Sequence, residues 1–292
     1  MKTILVATDF SDASLNAFLY SVSLAGQLKA NVHLYHVYKM IQEIPESYLV
    51  HTQPDLWPVI KEKLETVIRS LKPHPAVEIS YSGDHGPVAE CILKEAGRVN
   101  ADMIVCGMKH RAGDLRQIFG SIATVVARKT KLPLLIIPHK AVFTPLKHAA
   151  LACDIDPETH PATVKILTGL IRSSSADLSV VLISTDAATA KYEMHFHAFP
   201  FMTALKELHP VFEISEGKDI TRSLLHFARE KAIGLLAVIA HHHSVFDRLI
   251  VESVTRKLTF HTHIPLLVLP RITAADLSEK VHQQVQSEQT KS

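Results

Sequence analysis

The sequence predicts an α/β chain of two doubly wound domains, each a five-stranded parallel sheet with helices on both faces. Three observations carry this expectation. Short apolar runs alternate with segments of helical periodicity. Several of those runs, such as Met103-Ile104-Val105-Cys106 and Leu235 to Ala240, are apolar at every position, as strands buried on both faces must be. The series also occurs twice. In the first copy, strands are expected near residues 3–8, 31–37, 76–82, 102–106 and 133–138, with helices between them. The first helix follows Ser11 as N-cap and places Ala17, Phe18, Ser21, Val22, Ala25 and Leu28 on one face at spacings of three and four. A second clear helix begins after Gly86-Pro87, where proline fits the first turn, and its apolar positions are Ala89, Ile92, Leu93, Ala96 and Val99.

The repeat is visible without gaps over the last helix and strand. Gly120-Ser121 through Leu132-Pro133-Leu134-Leu135-Ile136-Ile137-Pro138 matches Glu252-Ser253 through Ile264-Pro265-Leu266-Leu267-Val268-Leu269-Pro270 at an offset of 132. The starts match at a different offset, 145, which pairs Ile4-Leu5-Val6-Ala7-Thr8-Asp9 with Ala149-Ala150-Leu151-Ala152-Cys153-Asp154. The second copy is therefore about 13 residues shorter inside. The expected domains are residues 1–140 and 146–271, with 272–292 a polar C-terminal tail.

Composition narrows the classes of function. The chain has 292 residues, 47% of them hydrophobic and 21% charged, enough for two buried cores and too apolar for disorder. Its longest apolar stretch, Leu235 to Ala240, is far short of a membrane span, so no membrane is expected. The N-terminal segment reaches Asp9 before a signal-peptide core could develop, which points to the cytoplasm. Thirty-one basic residues against 29 acidic ones, with no basic run, argue against nucleic acid. Cys91, Cys106 and Cys153 form no metal or disulfide framework and are expected to be structural thiols. No Ser-His-Asp, paired-carboxylate or Cys-His arrangement announces catalysis, so no catalytic residues are expected.

After the fourth strand the chain reads Gly107-Met108-Lys109-His110, then nine residues, then Gly120-Ser121 opening a helix. With the aspartate after strand one, this resembles the universal stress protein family, whose loop there is Gly-x2-Gly-x9-Gly-Ser/Thr. The resemblance covers both copies and implies a tandem of two such domains. It also implies an ATP or AMP site in domain 1, with Asp9 and Val37 beside the adenine and ribose and Gly107, Gly120 and Ser121 at the phosphates. Glycines there would let the backbone approach the anion, and the next helix would present its N–H groups and dipole. His110 stands where the family has its second glycine, so the site is altered; Lys109 and Arg111 are auxiliary phosphate candidates. In domain 2 the corresponding segment is Ala240-His241-His242-His243, and Glu252 opens the helix where a carboxylate would repel phosphate. Domain 2 is accordingly expected to bind no nucleotide, although Asp154 keeps the early-aspartate position.

Nineteen histidines, twelve of them after Pro145, raise a second reading. His195, His197, His241 and His243 are expected at one sheet edge and form a candidate divalent-metal set; solvated loop histidines are the competing reading. His261 and His263 precede the last strand, at the opposite edge. The expected function is a non-enzymatic stress-response binding or sensing module. A weak ATPase acting through domain 1 and a metal- or pH-responsive module built on the domain 2 histidines are the alternatives. Leu134 to Ile137 and Leu266 to Leu269 would be exposed apolar edges if left open, so the two fifth strands are expected to pair as an internal pseudo-dimer, with further homodimerisation left open.

Overall fold

A computed structural model describes residues 2–38, 55–70, 76–108, 121–152, 160–184, 200–216, 220–240 and 263–273. The chain divides into two compact units: residues 1–128 with 134–143, and residues 129–133 with 144–292.

Unit 1 alternates β1 (Thr3–Thr8), α1 (Asp12–Leu28), β2 (Asn31–Tyr38), α2 (Trp57–Ser70), β3 (Ile79–His85), α3 (Val88–Arg98), β4 (Met103–Met108), α4 (Ser121–Lys129) and β5 (Leu134–Pro138). Its strands are all parallel and lie in the order β3-β2-β1-β4-β5. The chain thus runs outward from β1 to one side and then returns to build the other. This topology opens a crevice at the carboxyl ends of β1 and β4. Ile4, Leu5, Val6, Met103, Ile104 and Val105 on the central strands are fully buried, because helices cover both faces.

α1 forms as its sequence expects. Ser11 takes an extended conformation and accepts from the Ser14 backbone N–H, while Ala17, Phe18, Ser21, Val22 and Ala25 turn inward. The helix ends at Lys29 in the left-handed region, and the Ala30 N–H closes onto the Ala25 carbonyl. Two elements differ from expectation. β3 starts at Ile79 rather than 76, where its register begins opposite Val32, and runs on to His85. As the outer strand of its unit it is only half-buried, so its hydrophobic pattern marks its ends poorly. Pro87 is the N-cap of α3 rather than its first helical residue, with ψ of 113°.

Unit 2 contains β6 (His148–Ala152), a 3-10 turn (Pro161–Val164), α5 (Lys165–Ser174), β7 (Asp177–Ser184), α6 (Pro200–Leu205), β8 (Val211–Glu216), α7 (Ile220–Glu230), β9 (Leu235–Ala240) and β10 (Leu266–Pro270). Its parallel strands take the order β8-β7-β6-β9-β10, the same winding as unit 1. No helix among the described residues is long and apolar enough to cross a membrane.

Candidate functional site

The carboxyl edge of unit 1 is built where β1 gives way to α1. Thr8 ends β1; Asp9, Phe10 and Ser11 make the turn; α1 starts at Asp12. Asp9 is exposed, and its Oδ1 accepts from the Ser11 N–H at 3.1 Å and the Ser11 hydroxyl at 2.5 Å. The Ser14 hydroxyl ties the turn from inside: it donates to the Ser11 carbonyl at 2.9 Å and lies 3.1 Å from the Thr8 hydroxyl. Phe10 is held at φ of 60°, a left-handed conformation that a bulky residue adopts only under constraint, and its N–H donates to the Thr8 Oγ1 at 3.1 Å.

Gly107 lies near the end of β4 and shows why that position must be glycine. A Cβ there would sit 2.3 Å from the Ala13 carbonyl oxygen and 2.8 Å from the Ser14 nitrogen, inside the backbone of the first turn of α1. The glycine lets β4 approach α1 closely. Val37 is half-buried at the end of β2, paired with Asp84 of β3. Asp9, Val37 and Gly107 therefore gather at the carboxyl ends of three adjacent strands. Ser121 is the first residue of α4. Lys109, His110, Arg111 and Gly120 lie outside the described residues, as do Asp154, Glu252, His195, His197, His241 and His243. Among the described residues no group of three or more histidine, cysteine, aspartate or glutamate side chains could hold a metal.

Around this edge stands an aromatic wall that the sequence did not reveal. His36 and Tyr38 share one face of β2, as residues two apart in a strand must; their rings are near parallel with centroids 6.5 Å apart. The Phe10 ring lies 4.5 Å from that of His36, and the His85 ring 6.1 Å from that of Tyr38. His36 Nδ1 donates to the Thr8 carbonyl at 2.8 Å, since a carbonyl can only accept. Trp57 at the start of α2 rests on Gly83 of β3, where a Cβ would meet its indole at 2.7 Å. Lys63 Nζ lies 5.9 Å from the Phe10 ring centre. The signals available were the His36, Tyr38 pair and a glycine inside a strand pattern.

A second polar cluster lies in the amino-terminal halves of the strands, against α3. Glu95 is buried, with a side chain 8% exposed, yet it is fully paired. Arg98 grips it with two bonds of 2.6 Å, Ser82 donates to its Oε1, and His33 Nε2 lies 2.9 Å from that same oxygen. These donors, Arg98 first, hold the Glu95 carboxyl at about 2, against the resistance of burial. His33 is lowered too, for a different reason: burial pushes its pKa below the ordinary 6.5, more than the Glu95 carboxylate raises it. Its Nδ1 faces the Ser80 hydroxyl at 2.8 Å. The sequence shows no such constellation because its members come from β2, β3 and α3. Cys106, in the middle of the sheet, is pushed up to about 12 by burial, which makes it an inert thiol.

The model of the universal stress protein family matches residues 1–138, the span that builds all five strands of unit 1. The match covers just under half of the chain, and it is to this family that residues 1–138 are similar. The Stress response protein NhaX of Bacillus subtilis is 25% identical to it, over 46% of this chain and 96% of its own length. The Universal stress protein MJ0531 of Methanocaldococcus jannaschii is also 25% identical, over 47% of this chain and 81% of its own. The crystal structure of a universal stress protein from Archaeoglobus fulgidus is alike over 92% of this chain and 98% of that one, at a TM-score of 0.69 and 15% identity. That likeness extends the shared fold across both units.

Proposed function

We propose that unit 1 binds an adenine nucleotide at its carboxyl edge, and that the protein is a stress-response binding or sensing module. The observation that carries this is the convergence of Asp9, Val37 and Gly107 on the ends of adjacent strands, beside the start of α1. An aromatic wall and a lysine border the same edge, a surface suited to a flat base and an anion. Asp9 offers the hydrogen-bond acceptor that a ribose hydroxyl needs, and Gly120 and Ser121 lead into α4, whose N-terminus favours phosphate. His110 in place of a glycine makes the cradle an altered one.

Unit 2 is proposed to bind no nucleotide. The register supports a sharper version of the sequence argument. Gly107 pairs with Ile137 on β5, while on β10 the matching partner is Leu269, which pairs with Ile239. The residue at the Gly107 position is therefore Ile239, one before the Ala240 that the sequence alignment puts there. It is 4% exposed, so a buried branched side chain stands where unit 1 has a glycine.

Trp57 is the sole tryptophan and gives the experiment its signal. Titrating nucleotide-stripped protein with ATP, ADP and AMP is expected to change its fluorescence saturably, with Asp9→Ala weakening the response tenfold or more. Absence of any saturable response in the wild type, by fluorescence and by calorimetry, overturns the proposal. Turnover of the bound ATP distinguishes a weak ATPase from a binding module.

A further inference from the structure

The buried cluster behind β3 has a donor and acceptor arrangement fixed by its partners. His33 Nε2 also lies 2.8 Å from the Ser82 hydroxyl, whose own proton goes to Glu95, so Ser82 can only accept from that nitrogen. The Glu95 carboxylate only accepts, and its Oε1 is met by an Arg98 N–H, the Ser82 hydroxyl and His33 Nε2. The hydrogen of His33 must therefore be on Nε2. With burial keeping the ring neutral, Nδ1 carries a lone pair, and among the described residues it faces the proton of the Ser80 hydroxyl at 2.8 Å. His33 is 4% exposed and Ser80 is exposed, so a base sealed from solvent is presented to a hydroxyl that solvent reaches. Glu95 fixes the tautomer and orientation of His33, and Arg98 and Ser82 fix Glu95.

We propose that Ser80, His33 and Glu95 form a nucleophilic acyl-transfer site for small, activated carboxylic esters. Ser80 Oγ bonds to the acyl carbon while its proton passes to His33 Nδ1. The bond from that carbon to the leaving alkoxide or phenoxide breaks, and the leaving group takes the proton from His33. Water then attacks the acyl carbon, giving a proton to His33 Nδ1; the bond from that carbon to Ser80 Oγ breaks, Oγ takes the proton back from His33, and the acid leaves. The sum is ester plus water giving acid plus alcohol, with no other reactant. Ser80 and His33 are the reacting groups; Glu95 and Arg98 are positioning residues.

This site is distinct from the nucleotide edge. His33 precedes Val37 by four residues on β2, about 13 Å along a strand. Unit 2 offers an internal contrast. There His148 Nδ1 donates to the Lys231 carbonyl at 3.0 Å, leaving Nε2 toward the Ser179 hydroxyl, also at 3.0 Å. Ser179 is 1% exposed, so a similar pair is closed to any ester.

The test uses the full chain with two probes, 4-nitrophenyl acetate and a fluorophosphonate, read by release of 4-nitrophenol and by peptide mapping. The expected result is one modification, on Ser80, with a stoichiometric burst. Ser80→Ala is expected to abolish both. Being a surface change, it leaves the fold intact by circular dichroism. Ser80→Cys is expected to restore the burst, and Glu95→Gln to slow labelling tenfold or more. Labelling is also expected to hold steady from pH 8 down to 7 and to fall as acid protonates His33, whose facing charges are Glu95 and Arg98 on α3. No label on Ser80 in the folded wild type, or equal labelling after heat denaturation, overturns the proposal. So does a burst unchanged in Ser80→Ala.

Discussion

Unit 1 and unit 2 wind their strands in the same order, yet at equivalent positions they solve different problems. Where β4 carries Gly107 against the backbone of α1, β9 carries the buried Ile239. Where β2 carries His33, opposite Leu5 of β1, β7 carries Ser179, opposite Ala150 of β6. Unit 1 neutralises its buried polar positions with Glu95 held by Arg98, Ser82 and His33. In unit 2 the acid is Glu213 of β8, paired with Lys231 at 2.9 Å and 22% exposed. A parallel sheet tolerates either arrangement because each polar atom finds a partner. The two halves thus differ in packing: in unit 1 a glycine is compulsory and a carboxylate is buried, and among the described residues of unit 2 neither holds.

The largest expected effect breaks this contrast at Gly107. Gly107→Ala must displace the first turn of α1, and is expected to cost about 3 kcal/mol in denaturant unfolding and to abolish nucleotide response. Ile239→Val, at the matching place, only leaves a small void and is expected to cost about 1 kcal/mol. Equal losses at the two positions would remove the asymmetry.

Glu95→Gln comes next. It leaves the donors of His33, Ser82 and Arg98 poorly matched in a buried setting, and roughly 2 kcal/mol is expected to be lost. Glu213→Gln loosens a partly exposed pair and is expected to cost about 0.5 kcal/mol.

Acid sharpens the same point. The Glu95 carboxyl titrates at about 2 when folded against 4.5 otherwise, so its contribution is present above pH 4.5 and lost as pH falls toward 2. His33, also lowered, acts in the same direction: the unfolded chain takes up its proton first, and stability begins to fall as pH drops through 6.5. Since Arg98 is 62% exposed and screened, the Glu95 step is worth about 2 kcal/mol rather than the full shift. Chemical denaturation at pH 7.5, 5.5 and 3.5 is expected to show both losses in the wild type, and neither step in a Glu95→Gln, His33→Gln double variant.

The smallest effects are gains. Gly97 of α3 and Gly169 of α5 are exposed helical positions with nothing within 4 Å of an added Cβ. Alanine at either is expected to stabilise its unit by about 0.5–1 kcal/mol, measured as a raised Tm. One glycine is thus compulsory and two are expendable, a distinction that none of the three shows in the sequence.

The strand and helix series, the duplication and the cap at Ser11 were legible because they are local. Each rests on spacings of two to four residues, or on a motif that repeats at fixed offset. Asp9, Val37 and Gly107 could be picked out by resemblance, and strand order then brings them to one edge. What Gly107 touches could not be read, because its neighbour Ala13 lies almost a hundred residues earlier in a helix whose approach distance is set by packing. The one-residue displacement from Ala240 to Ile239 came from the ladder, since only hydrogen-bond register fixes which residues are equivalent once lengths differ. His33 is separated from Ser80 by 47 residues and from Glu95 by 62. Each looked like an ordinary strand or helix residue in its own window. The sequence by itself determined which elements form and that they form twice. Only the tertiary structure decided which side chains meet, because hydrogen bonds and close packing act over a few ångströms of space, whatever the distance along the chain.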